Sequence, residues 1–315
     1  MPEALVYLNG RMLPASQAHV AIFDLGLVLG ATVAEMTRTF RRRPFRLDDH
    51  LDRLFRSLHY VRFKLDLTRD ELAAASHKLI EHNAALLDEG DEGDELGLVQ
   101  FVTAGESAMY AASSGREARQ TATVCAHTFP LAWNSWAERM REGARLVTPS
   151  IRNVPPQCFE ASMKCRSRMH FYLADQEARL ADPAALALLL DLDGNVTETP
   201  SANFLMVEGG TIVSPTLRNT LPGVSRQMVI ELAAELGLGF IERDFQIDRA
   251  LHADEALLTS TPYCLMPVAT INGSPIGGGK PGPMFRKLID AWSRKVGVDI
   301  ERQIFEGAAT ASGRK

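Results

Sequence analysis

Hydrophobic positions change period several times along the first third of the chain. Val6-Tyr7-Leu8 ends at Asn9-Gly10, a dipeptide that tolerates positive φ and predicts a strand entering a tight hairpin. A second hairpin is expected to join Ala34–Phe40 to Phe45-Arg46-Leu47 through residues 41–44. Leu47, Leu51, Leu54, Phe55 and Leu58 then recur at helical spacing, with Asp48 or Asp49 as the expected cap. Thr68 and Glu71 have the spacing of a capping box ahead of a helix running to about Leu87. Residues 88–95 carry six acids and two glycines and read as a solvated loop. Leu98–Thr103 and Thr123–Thr128 read as strands.

The later pattern is similar in kind but longer. Helices are expected near Trp136–Arg141, Ser167–Leu180, Val224–Leu236 and Met284–Val296, the third closed by Gly237. Strands are expected at Arg145–Thr148, Leu186–Asp191, Asn203–Val207, Thr211–Val213, Phe240–Arg243 and Glu255–Thr259. A hairpin over Pro267–Ile276 turns at Asn272-Gly273. Hairpins mixed with helices, without a strict βαβ rhythm, predict an α+β chain (mixed α/β) in two domains. The expected division is a small domain over 1–128, a linker over 129–135, a large domain over 136–300 and a tail over 301–315.

Composition narrows the function classes. The chain has 315 residues, 46% of them hydrophobic, and 34 basic against 39 acidic side chains give a net charge of −5. That balance argues against nucleic acid or an anionic membrane as the main partner, since both favour a basic surface. The longest apolar run, Ala184–Leu190, is too short to cross a bilayer. Met1–Gly10 lacks a basic region followed by an apolar one, so a cytoplasmic protein is expected. The four cysteines lack paired spacing, and the histidines do not share a helix face at ligand spacing, so no metal site is expected.

Lysine is scarce, seven residues against 27 arginines, and six of the seven have simple surface explanations. Lys164, in Ala161-Ser162-Met163-Lys164-Cys165, does not. Such an amine can form an imine with an aldehyde, or can simply be a half-buried lysine bound to a carbonyl. Leu221-Pro222-Gly223-Val224-Ser225-Arg226 leads into a helix, whose first N–H groups with the Ser225 hydroxyl suit a phosphate. Thr259-Ser260-Thr261 ends a strand and offers further donors. In Val196-Thr197-Glu198, an inward-facing Glu198 suits holding a proton on a heterocyclic nitrogen.

These segments, in this order, resemble the fold-type IV pyridoxal-phosphate enzymes, which include branched-chain and D-amino-acid aminotransferases and aminodeoxychorismate lyase. The resemblance runs from Val6-Tyr7-Leu8-Asn9-Gly10 to Gly279-Lys280-Pro281-Gly282-Pro283. It is most specific from Val196-Thr197-Glu198 through Ala202-Asn203-Phe204 to Leu221–Arg226. The resemblance implies a D-amino-acid aminotransferase-like fold, pyridoxal 5′-phosphate as cofactor, and a homodimer. It implies Lys164 as the Schiff-base lysine and Glu198 as the partner of the pyridine nitrogen. It places the phosphate against Val224 and Ser225, with Ser260 or Thr261 opposite and Arg53 of His50-Leu51-Asp52-Arg53-Leu54 as its cationic partner. Arg53 also reads as a helix-surface partner of Asp49 or His50. The implied reaction moves an amino group between an amino acid and a 2-oxo acid through a Lys164 aldimine, with ping-pong kinetics.

The match frays on the substrate side. Met169 stands where the branched-chain enzymes have a tyrosine, and Thr103-Ala104-Gly105 replaces the Thr-Arg-Gly of the D-amino-acid enzymes. Pro200 stands where the family signature favours a small residue. Glu35 and Arg38 resemble the Glu-Gly-Ile-Arg stretch of branched-chain enzymes, which makes Arg38 either a carboxylate ligand or an exposed strand arginine. Lys164-Cys165-Arg166-Ser167-Arg168-Met169 also resembles the lyase pattern, and Arg168 is either a substrate or subunit contact or a helix-surface arginine. A lyase that releases pyruvate, and a cofactor-binding protein without turnover, stand as alternatives.

Overall fold

Asn9 and Gly10 have φ of +51° and +84°, the left-handed pair that a two-residue hairpin needs. They join β1 (Leu5–Leu8) to β2 (Arg11–Pro14). The computed structural model describes residues 3–87, 95–112, 115, 117–119 and 121–313, and within it the chain divides into two units. Residues up to Leu131 together with Met163–Ser167 form the N-terminal unit; Ala132–Ser162 and the chain from Arg168 onward form the C-terminal one. The predicted acidic loop over residues 88–94 lies outside the described residues.

The N-terminal unit is an antiparallel sheet ordered β2-β1-β6-β5-β3-β4. Its remaining strands are β3 (Thr32–Phe40), β4 (Arg43–Pro44), β5 (Leu96–Thr103) and β6 (Val124–Pro130). Short α1 (Leu25–Val28) and α4 (Ala108–Ala111) flank longer α2 (Leu47–Val61) and α3 (Arg69–Ala84). Leu51, Leu54, Leu58, Leu72 and Leu79 bury one face of α2 and α3 against Val33, Leu98 and Val102 of the sheet.

Two expectations fail here. Neither Asp48 nor Asp49 caps α2; its N-cap is Arg46, left-handed at φ +56°, and the two acids occupy the first turn instead, where they favour the helix dipole. Glu95 is not solvated. It is 2% exposed, and its carboxylate accepts from Thr39 Oγ1 and from the backbone amides of Arg41 and Arg42, two residues held at positive φ.

In the C-terminal unit, α5 (Asn134–Glu142), β7 (Ala144–Val147), α6 (Met169–Ala181), β8 (Leu186–Ala187), β9 (Asn203–Glu208) and β10 (Thr211–Ser214) come first. Next come α7 (Val224–Glu235), β11 (Gly239–Glu242), α8 (Ile247–Leu251), β12 (Glu255–Ser260) and β13 (Cys264–Ile271). The order closes with β14 (Ser274–Pro275), α9 (Pro283–Val296) and α10 (Ile300–Gly313). The sheet runs β11-β10-β9-β12-β13-β7-β8, with β14 on β13. The expected strand to Asp191 stops at Ala187, although Leu188, Leu189 and Leu190 remain buried. The segment expected as a tail is helical to Gly313, because Ile300 and Ile304 are fully buried and Gly307 lies flat against Trp133. No described helix is long and apolar enough to cross a membrane.

Candidate active site

Sequence position assigns Lys164 to the larger half, but backbone pairing puts it with the N-terminal unit. Ala34 N donates to Lys164 O at 2.9 Å, Arg166 N donates to Thr32 O at 2.9 Å, and Val33 pairs with Cys165. Residues 163–167 thus extend β3 on the side away from β5, and Ser167 Oγ fixes the end by donating to Gly30 O at 2.7 Å. Lys164 itself is half-buried.

Arg53, on the buried side of α2, reaches Glu35 of β3. Its Nε donates to Glu35 Oε1 at 2.7 Å and its Nη2 to Oε2 at 2.8 Å, while His50 Nδ1 shares Oε2 at 2.8 Å. Glu35, His50 and Arg53 are at most 3% exposed. Burial works against an ionised Glu35, yet the Arg53 guanidinium and the hydrogen bonds from Arg53 and His50 hold its carboxyl at about 2. Burial pushes the His50 imidazole down, against the pull of Glu35, and the Arg53 and Lys164 charges add to the depression. Burial thus favours the neutral imidazole of His50, whose Nδ1 lies 2.8 Å from the Glu35 carboxylate. The helix-surface reading of Arg53 fails, as does the exposed-strand reading of Arg38. Arg38 is 1% exposed and stacks its guanidinium 3.9 Å from the centre of the Phe40 ring.

The C-terminal unit gathers most of the other candidates. Glu198 and Asn203 pair across a loop in which Thr199 Oγ1 accepts from Ala202 N at 3.0 Å, so Pro200 leaves the pair intact. Asn203 Nδ2 donates to Glu198 Oε2 at 3.1 Å, and Leu221 N donates to both carboxylate oxygens at 3.3 Å. Asn203 Nδ2 also reaches Leu221 O at 2.8 Å, which ties the Glu198 loop to the approach to α7. That helix starts after Gly223 with no side-chain cap, although Val224 and Ser225 are buried. Ser260 Oγ donates to Ser201 O at 2.6 Å, joining the end of β12 to the same loop; Thr261 follows it, half-buried. Arg168 precedes α6 with its guanidinium 4.8 Å from the Phe171 ring centre.

Glu35 and His50 are the residues that the sequence reading passes over as site candidates. The available signal was His50-x-x-Arg53 on the apolar stripe of α2, since two polar residues among core leucines require a buried partner.

A carboxylate braced by an amide, tied through Leu221 to a helix start that no side chain caps, has the chemistry to receive an anionic group joined to a proton-bearing ring. The family model for class IV amino-transferases matches residues 32–271, and the chain belongs to that family. It is 28% identical to the D-alanine aminotransferase of Bacillus licheniformis, over 92% of this chain and 96% of that one. It is 30% identical to branched-chain-amino-acid aminotransferase-like protein 1 of Arabidopsis thaliana, over 93% of this chain but only about half of the plant protein. Its fold is similar to that of the T.th. branched-chain amino acid aminotransferase with pyridoxamine 5′-phosphate, with a TM-score of 0.81 and 26% identity over 94% and 95% of the two chains.

Class IV aminotransferases use pyridoxal 5′-phosphate. The residues of the C-terminal unit fit its two polar ends. The Glu198 carboxylate can accept from a ring N–H, and the first N–H groups of α7, which no side chain caps, suit a phosphate.

Proposed function

We propose that this chain is a pyridoxal-phosphate-dependent aminotransferase of the branched-chain or D-amino-acid type. It moves an amino group between an amino acid and a 2-oxo acid in two alternating half-reactions. The observation that carries the reading is Glu198, braced by Asn203 and Leu221 beside the uncapped start of α7. Glu198 keeps a proton on the ring nitrogen. The amides of Val224 and Ser225 take the phosphate, with Ser260 and Thr261 as further donors and Arg53 as the charged partner. When bound, the cofactor supplies an aldehyde carbon and a conjugated ring that accepts the electron pair left at the substrate Cα. Lys164 would hold that aldehyde through its side-chain amine and, once displaced by the incoming amino group, would serve as the base and acid that moves the substrate Cα proton. Arg38 is the candidate for the substrate carboxylate, and Arg168 for a substrate or subunit contact. Exposed Met169, Tyr172 and Leu173 on α6 support a homodimer.

The test is a spectral screen of single D- and L-amino acids against the holoprotein, followed by 2-oxo acids. Conversion to the aminated cofactor and its reversal are expected. Bound cofactor that no amino donor converts would defeat the proposal, and pyruvate release without conversion would mark a lyase.

A further inference from the structure

Leu47, Leu51, Leu54 and Leu58 build the buried side of α2, and His50 and Arg53 lie among them. A guanidinium in such a place needs its donors met. Glu35 meets the Nε and Nη2 donors together, and His50 holds the second oxygen of that carboxylate. A carboxylate that grips two nitrogens of the fork fixes the plane of the guanidinium as well as balancing its charge. The strand that carries Glu35 also carries the lysine segment through Ala34 and Val33. One strand therefore sets the positions of both Lys164 and Arg53.

We propose that Glu35, braced by His50, is a positioning residue that aims Arg53 at the cofactor phosphate. The inference rests on the reading of Arg53 as the phosphate's charged partner. Charge alone argues the opposite way, because Glu35 neutralises Arg53 and its removal strengthens the pull on a phosphate dianion. Orientation and charge thus predict opposite signs.

The experiment titrates the full-length apoprotein with pyridoxal 5′-phosphate and with pyridoxal, which lacks the phosphate, and reads absorbance of the bound form. Glu35→Gln removes the charge; Glu35→Asp keeps it but draws the carboxylate back by one methylene. Both variants are expected to lose about tenfold or more in affinity for the phosphorylated form, with pyridoxal affinity unchanged. Unchanged or tighter binding of the phosphorylated form in either variant overturns the proposal, as does an equal loss for both ligands. Should neither variant melt cooperatively, Arg53→Lys decides. It keeps the charge without the fork and is expected to show the same selective loss, and full retention of the phosphate preference overturns the proposal. A wild-type protein without that preference defeats the reading of Arg53 itself, whereas a preference that survives both Glu35 variants defeats only the role of Glu35.

Discussion

Asn203 stands between Glu198 and Gly223, with its amide nitrogen on the carboxylate and its amide oxygen against the glycine. A Cβ on Gly223 would lie 2.1 Å from Asn203 Oδ1. The φ of Gly223 is −66°, so space rather than backbone conformation requires glycine here. Gly223→Ala can be accommodated by displacing the Asn203 amide, which gives up its bonds to Glu198 and Leu221. The expected result is weakened cofactor affinity with a stability loss of about 1–3 kcal/mol. A cofactor titration and a thermal melt on the same sample check this. Wild-type affinity in the variant would show that Asn203 does not orient Glu198.

Lys164 joins its sheet through its carbonyl, which accepts from Ala34 N, so the side chain is dispensable for that pairing. Lys164→Ala should therefore fold normally and lose about 10²–10⁴-fold or more in the rate of amino transfer. Single-turnover spectra with an amino donor, alongside a melting curve, separate the two effects. A variant that melts like wild type and still transfers the amino group at the wild-type rate would remove Lys164 from the mechanism.

What the sequence made legible was local chemistry. The Asn9-Gly10 and Asn272-Gly273 turns are visible because few other pairs adopt two positive φ angles in succession, and both do so here. The Thr68–Glu71 box is visible because its two partners lie three residues apart. Lys164, Glu198 and the start of α7 were legible as motifs. What holds them was not. The pairing of Lys164 with β3 joins segments about 130 residues apart, and no local pattern encodes it. Glu95 read as one more acid in an acidic run, although it satisfies the amides of a turn more than fifty residues earlier. Arg53 was legible as a candidate, but its pairing with Glu35 was not, because Glu35 lies on a different element.

The capping box offers a test of local stability away from the candidate site. Thr68 Oγ1 accepts from Glu71 N at 3.2 Å, and Glu71 Oε2 accepts from Thr68 N at 2.8 Å. Thr68→Ala leaves the first turn of α3 uncapped and should cost about 1 kcal/mol. Thr68→Ser should keep most of that stability. Equal melting temperatures for wild type and the alanine variant would mean that solvent satisfies those amides just as well.

Acid stability should fall in two steps, and His50 governs part of the first. The folded-state pKa of His50 lies below its ordinary 6.5 because burial outweighs its bond to Glu35, so the unfolded chain takes up that proton more readily. Stability contributed by neutral His50 is present above 6.5 and declines as pH falls below it. Glu35 is depressed from 4.5 to about 2, so its contribution is present above 4.5 and is lost progressively as pH falls from there to about 2. His50→Gln should lower stability near neutral pH through the lost contact with Glu35, yet flatten the decline between about pH 6.5 and 5. His127 and His170 are also depressed by burial, so the step shrinks without vanishing. Urea unfolding of both proteins across that range measures the slope. An identical slope in the variant would mean that His50 is protonated as easily in the folded chain as in the unfolded one.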